Sequence, residues 1–343
     1  MEALERIRRT VAREPCDRPP VIAQVFAHAA RACGRSVQDY LSSASVAAAC
    51  QLEAQAHYGY DAVFAVLDLT LEAEALGGEV RSCGVGYPAM ARPPLEPDGD
   101  FSALRVPDPR RAGRMPMALE MARRLRGDRG DRALVVGLVQ GPATLAAQLL
   151  GMERALYLAA DAPDRYERLL DYATAVGRAF GLAQLEAGAH LVLVFDPGAC
   201  PEIVPSGLFR ELIGPRVAQI FEAFEQAGAM GNWLHIAGRT AAILPRYPDL
   251  GADIGNFDYC VDPVALVAAL GDSPLCLDGN VKPLSFVTDG PPDIEREAVR
   301  LLRLFERRGG FILSSGCEIP PESREANVAA LVRAALDWKA GGS

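Results

Sequence analysis

The chain has no CxxC pair, no long apolar run and no coherent basic block, and each absence removes a class of function. Its eight cysteines, at positions 16, 33, 50, 83, 200, 260, 276 and 317, are scattered, which argues against a disulfide framework or a zinc ribbon. No stretch approaches the length needed to span a bilayer, and Met1-Glu2-Ala3-Leu4-Glu5-Arg6 lacks the apolar core of an export signal. A cytoplasmic protein without a membrane partner is expected. Net charge is −9, and the arginines are interspersed with acids, as Arg110, Arg111 and Arg114 are beside Asp108. Nucleic acid is therefore not an expected partner, because neutralising phosphates takes a continuous positive face. The chain also lacks a GxSxG elbow, which sets aside the commonest serine hydrolases, and it matches no phosphate-loop pattern.

What is present is a recurrent alternation. Apolar, β-rich runs occur at 21–25, 62–67, 133–139, 191–195, 233–236, 252–257, 275–277 and 311–313, with helical stretches between them. Strands alternating with helices imply parallel pairing through right-handed crossovers, and eight such units predict a (β/α)8 TIM barrel in a single domain over 1–343. About 65 residues separate the second and third runs. This stretch, which holds Gly84-Val85-Gly86-Tyr87-Pro88, reads as an inserted loop placed to cover the barrel mouth. The first 15 residues read as an N-terminal helical extension packed outside the barrel.

In a barrel of this kind the chemistry sits where the strands end. The exits present His28, Asp68, Gln140, Asp196, His235, Asp258, Asn280 and Cys317, all polar or able to bind a metal. Any one of them is also explained as a polar residue capping a strand or helix; as a set they predict a polar pocket. Zinc takes imidazole and thiolate readily, and a catalytic zinc site uses three protein ligands and one open position. His235 and Cys317 supply two. Cys200, in the turn Asp196-Pro197-Gly198-Ala199-Cys200, is the next candidate, and Cys260 a weaker one. His57 and His190 read as structural. Lys282, after Gly279-Asn280-Val281, reads either as a binding group for an anionic substrate or as a surface lysine.

The segments Tyr58-Gly59-Tyr60-Asp61-Ala62-Val63-Phe64, Leu67-Asp68-Leu69, Gly141-Pro142-Ala143-Thr144, Asp196-Pro197, Leu234-His235-Ile236, Gly279-Asn280-Val281 and Ser314 to Pro321 carry a resemblance. Together they make the chain similar to the uroporphyrinogen decarboxylase superfamily, and within it to the branch of corrinoid-dependent methyltransferases. The resemblance implies a TIM barrel, a methyltransferase, and zinc held by a His-x-Cys pair and a distant Cys. His235 and Cys317 match that pattern, whereas the Cys of the pair is Ala237 here. The third ligand is thus open, with Cys200 or Asp196 able to complete the set. Cobalamin-carrying modules show Asp-x-His-x-x-Gly, and none of the four histidines has an aspartate two residues before it. A corrinoid would therefore come on a partner protein.

On this resemblance the catalytic candidates are Asp68, Asp196 and Asn280; the substrate-binding candidates are His28, Gln140 and Lys282; the metal candidates are His235, Cys317 and Cys200. A small-molecule methyl donor or acceptor completes the reaction, and a homodimer is the expected assembly. Loss of one thiolate would leave a zinc centre more positive and more Lewis-acidic, which suits demethylation of a methyl ether. Two alternatives stay open. Decarboxylation lacks the N-terminal arginine-rich stretch that would meet a polycarboxylate, and a metal-free binding protein is the reading that Ala237 favours.

Overall fold

The computed structural model describes residues 1–82, 86–96, 101 and 104–338. Ten strands are present among them: β1 (Val21–Ile22), β2 (Ala62–Phe64), β3 (Glu79–Arg81), β4 (Ala89–Arg92), β5 (Leu134–Gln140), β6 (Leu191–Phe195), β7 (Trp233–His235), β8 (Ile254–Asn256), β9 (Cys276–Val281) and β10 (Phe311–Ser315). Eight of them form one parallel sheet in the order β1-β10-β9-β8-β7-β6-β5-β2. Helices follow the strands around its outside, so the predicted (β/α)8 barrel and all eight of its strand runs are borne out.

The sequence makes a barrel because its strands are apolar on both faces, as parallel strands covered by helices must be. Along β5, Leu134, Val136 and Leu138 point to the inner cluster with Phe64, Leu193, Phe195, Trp233, Ile254 and Ile312. The intervening Val135 and Val139 pack with the surrounding helices. The strand period of two thus divides each run between the barrel interior and the helical shell.

The seam between β1 and β2 is closed by a side chain. Asp61 donates its backbone N–H to Val21 O at 2.9 Å, and its carboxylate accepts from Val21 N at 2.8 Å. The same carboxylate pairs with Arg6 at 2.8 Å and Arg18 at 2.8 Å. Arg6 belongs to the helix Ala3–Val11, whose Leu4 and Ile7 join the inner cluster. The N-terminal helical extension expected from the sequence is therefore present, and its seat is an end of the barrel. It seals one end of the barrel interior, because its apolar stripe finds uncovered strand ends there.

The insertion between β2 and β5 carries the antiparallel pair β3–β4 and the helix Met115–Arg129. Tyr87, just before β4, donates from its hydroxyl to Glu318 beyond β10 and accepts from Ala27 N at 2.9 Å. The insertion thus reaches the C-terminal mouth, as expected. Cys83, Gly84 and Val85 lie outside the described residues.

Candidate active site at the barrel mouth

His235 ends β7, and its imidazole is fully buried. Among the described residues neither ring nitrogen has a hydrogen-bond partner, and the Phe195 ring stands 4.9 Å away, centroid to centroid. Burial alone pushes its pKa down to about 3, so the ring is neutral, with one N–H to give and one lone pair to receive. A buried imidazole that satisfies neither nitrogen is costly unless a ligand completes it.

The other candidates are engaged to different degrees. Asp68 accepts from Thr70 N at 2.8 Å and Thr70 Oγ1 at 2.6 Å, and it pairs with Arg114 at 2.6 Å. Arg114 comes from the insertion and also pairs with Glu74 at 2.7 Å. Gln140 ends β5; its amide donates to Leu69 O, its Oε1 has no partner, and its backbone N–H donates to Glu72 at 2.9 Å. Asp68, Gln140 and the Leu69–Thr70 turn are thus brought together on one side of the mouth.

Asp196 follows β6 and accepts from Thr144 N at 2.7 Å and Ala143 N at 3.3 Å. These are the free N–H groups at the start of the helix Pro142–Leu150, so Asp196 ties that helix to the barrel. A Cβ at Gly141 would stand 2.3 Å from its carboxyl carbon, which explains the glycine. Burial pushes Asp196 up to about 6. His28 is buried with both nitrogens engaged, by Tyr58 Oη at 3.0 Å and Pro321 O at 3.1 Å. Asn280 donates to the carbonyls of Asp258 and Val261, both at 3.2 Å. Asn280 and Lys282 face a separate cleft of about 600 Å³ beside the loops after β8 and β9. There the Lys282 ammonium lies 5.4 Å from the Tyr259 ring centroid.

The metal expectation fares differently. Cys317 lies two residues beyond β10, and burial pushes its thiol up to about 12. Cys200 lies in the turn after β6, with its sulfur 3.8 Å from Glu202 Oε2 and 2.7 Å from the point where a Cβ on Gly238 would stand. Among the described residues no group of three His, Cys, Asp or Glu side chains is placed to hold a metal ion. A three-ligand zinc centre of His235, Cys317 and Cys200 is therefore not assembled. Ala237 offers no ligand, and Cys200 packs against the segment after β7 instead of entering the interior with His235. Cys260 donates its backbone N–H to Asp258 at 2.9 Å.

Two features escaped the sequence reading. Inside the barrel Asp278, in β9, accepts from Asn256 Nδ2 at 3.1 Å and Gln24 Nε2 at 3.4 Å, with no cationic partner among the described residues. Burial pushes it up to about 8. At the mouth Glu318, also pushed up to about 8 by burial, receives the Tyr87 hydroxyl. The alternation Asp278–Asn280 inside an otherwise apolar strand was the available signal for the first. Nothing local signalled the second, since Tyr87 and Glu318 lie 231 residues apart.

Comparison with known proteins agrees with this architecture. The chain is 28% identical over 285 residues to the methylcobamide:CoM methyltransferase MtaA of Methanosarcina barkeri, covering 82% of this chain and 81% of that protein. It is also 28% identical over 284 residues to a uroporphyrinogen decarboxylase of Syntrophotalea carbinolica, covering 80% and 78%. Among solved structures, a methyltransferase from Methanosarcina mazei superposes with a TM-score of 0.89 at 25% identity, covering 98% of this chain and 99% of that one. The uroporphyrinogen decarboxylase (URO-D) family model matches residues 2–338, so the chain belongs to that family, and its similarity to these methyltransferases bears out the branch that the sequence resembled.

Proposed function

We propose that the chain moves a methyl group between a small molecule and a corrinoid carried on a separate protein, at the C-terminal mouth of the barrel. The observation that carries this reading is His235, a neutral imidazole with two unsatisfied nitrogens at a strand exit, in a chain resembling methyltransferases along most of its length. In the donor direction the bond from methyl to its heteroatom breaks with the electron pair staying on the heteroatom, and the methyl carbon bonds to the partner's corrinoid through an electron pair that the reduced corrinoid would supply. His235 is suited to donating its N–H to that atom and steadying it as charge develops. Asp68, fixed by Arg114, and Gln140 orient the substrate from the side of β2 and β5. Asp196 positions the helix behind them. No step is assigned to zinc, because the described residues do not assemble its ligands.

Decarboxylation is the second reading, supported by the decarboxylase relative. It is disfavoured because no arginine among the described residues lines the cavity under the insertion to meet a polycarboxylate. The test is spectroscopic. A methylated corrinoid protein mixed with the chain and a panel of methyl acceptors, or the demethylated form with methyl donors, is expected to change absorbance at a rate proportional to the chain. His235→Ala is expected to slow this by roughly a hundredfold or more. A catalysed decarboxylation of uroporphyrinogen with no corrinoid change would overturn the proposal.

A further inference from the structure

At the level of His235 the barrel interior is polar on one side and apolar on the other. The strand period of two that turns Trp233, Ile254 and Cys276 inward also turns His235, Asn256 and Asp278 inward, one layer closer to the mouth. All three are fully buried. Leu234 pairs with Gly255 and Asn256 with Asp278, which sets these side chains level on β7, β8 and β9. On β6, β5 and β2 the interior is apolar, with Phe195, Leu138 and Phe64.

The polar wall is not satisfied by its own members. Asp278 accepts from Asn256 Nδ2 at 3.1 and 3.2 Å and from Gln24 Nε2 at 3.4 Å, but Asn256 Oδ1, both nitrogens of His235 and Trp233 Nε1 have no partner among the described residues. Buried polar atoms left unpaired are costly, so this wall suits a polar occupant. The occupant's chemistry then sets a requirement. A neutral methyl donor that gives up its methyl group keeps the bonding pair on the heteroatom, which becomes negatively charged and needs a proton. His235 does not supply it: burial holds its pKa at about 3, so the ring is neutral and offers a hydrogen bond without releasing its proton. Other carboxyls of the mouth are committed, Asp68 to Arg114, Asp196 to the helix Pro142–Leu150 and Glu318 to Tyr87. Asp278 is held by neutral amides, and burial pushes it up to about 8, close to the value at which an acid works best near neutral pH. The titratable groups around it are the Cys276 and Cys317 thiols, both raised by burial, and neutral His235. Adjacent strands lie ~4.8 Å apart, which puts the backbones of β7 and β9 roughly 10 Å apart, and with both side chains turned inward one substrate atom can face both.

We infer that Asp278 delivers the proton that the heteroatom takes up as it loses its methyl group, with Asn256 and Gln24 holding the carboxyl in place. The methyl–heteroatom bond breaks and its pair stays on the heteroatom, while the methyl carbon bonds to the partner's corrinoid through the reduced corrinoid's electron pair. The O–H bond of Asp278 breaks in the same event, and its proton bonds to the heteroatom. The carboxylate is reprotonated from water as the product leaves. The inference rests on the methyltransferase reading in the donor direction.

The experiment has two arms. In the first, infrared difference spectra between the chain and its Asp278→Asn variant are recorded without donor or corrinoid. A carboxylic-acid carbonyl band is expected below pH 7 and is expected to vanish as pH passes about 8. In the second, a reduced corrinoid protein is the acceptor for two donors: 2-methoxyethanol, whose oxygen needs a proton, and trimethylsulfonium, whose sulfur leaves as a neutral sulfide. Asp278→Asn is expected to slow the ether reaction roughly a hundredfold, and the sulfonium reaction by a factor at least tenfold smaller. The wild-type ether rate is expected to fall as pH rises through about 8, and the variant's rate to lose that dependence. Thermal melting checks that the variant folds. Absence of the infrared band, equal loss with both donors, a pH dependence kept in the variant, or wild-type transfer from the sulfonium alone would each overturn the inference. Transfer from neither donor with the band present would count against the methyltransferase reading and withdraw the proton step with it, so the two failures are told apart.

Discussion

Asp278 shows what a single buried side chain implies for the molecule. Its carboxyl sits among neutral amides of Asn256 and Gln24 with no cation among the described residues beside it, so the charged form is penalised and its pKa rises to about 8. The unfolded chain releases that proton near pH 4, whereas the folded chain holds it until about 8. Between those values the native state binds more protons, so this group's stabilisation is complete below pH 4 and is lost as pH rises through 8. Asp196 acts in the same sense over a narrower window, up to about 6. Urea denaturation across pH 5–8 is expected to show stability falling with pH, and Asp278→Asn to flatten the slope. An unchanged slope in the variant would contradict this account of Asp278.

At the scale of elements, the barrel's weakest joint is the seam between β1 and β2, where Asp61 does the work of a missing ladder. Its carboxylate is shared by Arg6 and Arg18, and the side chains of Asp61 and Arg6 are only 3% and 7% exposed. Removing one member of a buried ion pair leaves the other charge uncompensated. Asp61→Ala is therefore expected to lower unfolding free energy by roughly 3–5 kcal/mol, measured by denaturant titration; a loss under 1 kcal/mol would show that the seam holds by other contacts. The elements themselves were legible in sequence because each is a run of apolar residues with a helix behind it. Their lengths were less so. The run at 275–277 extends to Val281 as β9, because Asp278 and Asn280 find amide and carbonyl partners inside the fold. The helix Ala3–Val11 was visible, but its seat was not, since only the closed barrel creates an end for Leu4 and Ile7 to fill.

Across the whole molecule, the candidate site was legible in proportion to how far it is built from strand exits. His235, Asp68 and Gln140 were readable because each follows an apolar run. His28 was readable too, yet it is absorbed by Tyr58 and Pro321, and Asp196 ties down a helix. A polar residue at an exit looks the same in sequence whether it caps or reacts. His235, Cys200 and Cys317 are not grouped as three ligands among the described residues, and their spacing says nothing about which side chains enter the interior. The wall made by Tyr87, Met90 and Glu318 depends on an insertion folding back over the mouth, which no local pattern encodes. The most direct measurement is a single-turnover reaction with a ¹³C-labelled methyl group on the corrinoid protein, followed by NMR in the presence of the chain or its His235→Ala variant. The account predicts that the label moves to a small-molecule acceptor with the chain and stays on the corrinoid with the variant. Equal transfer in both, or transfer in neither across the acceptor panel, would contradict it.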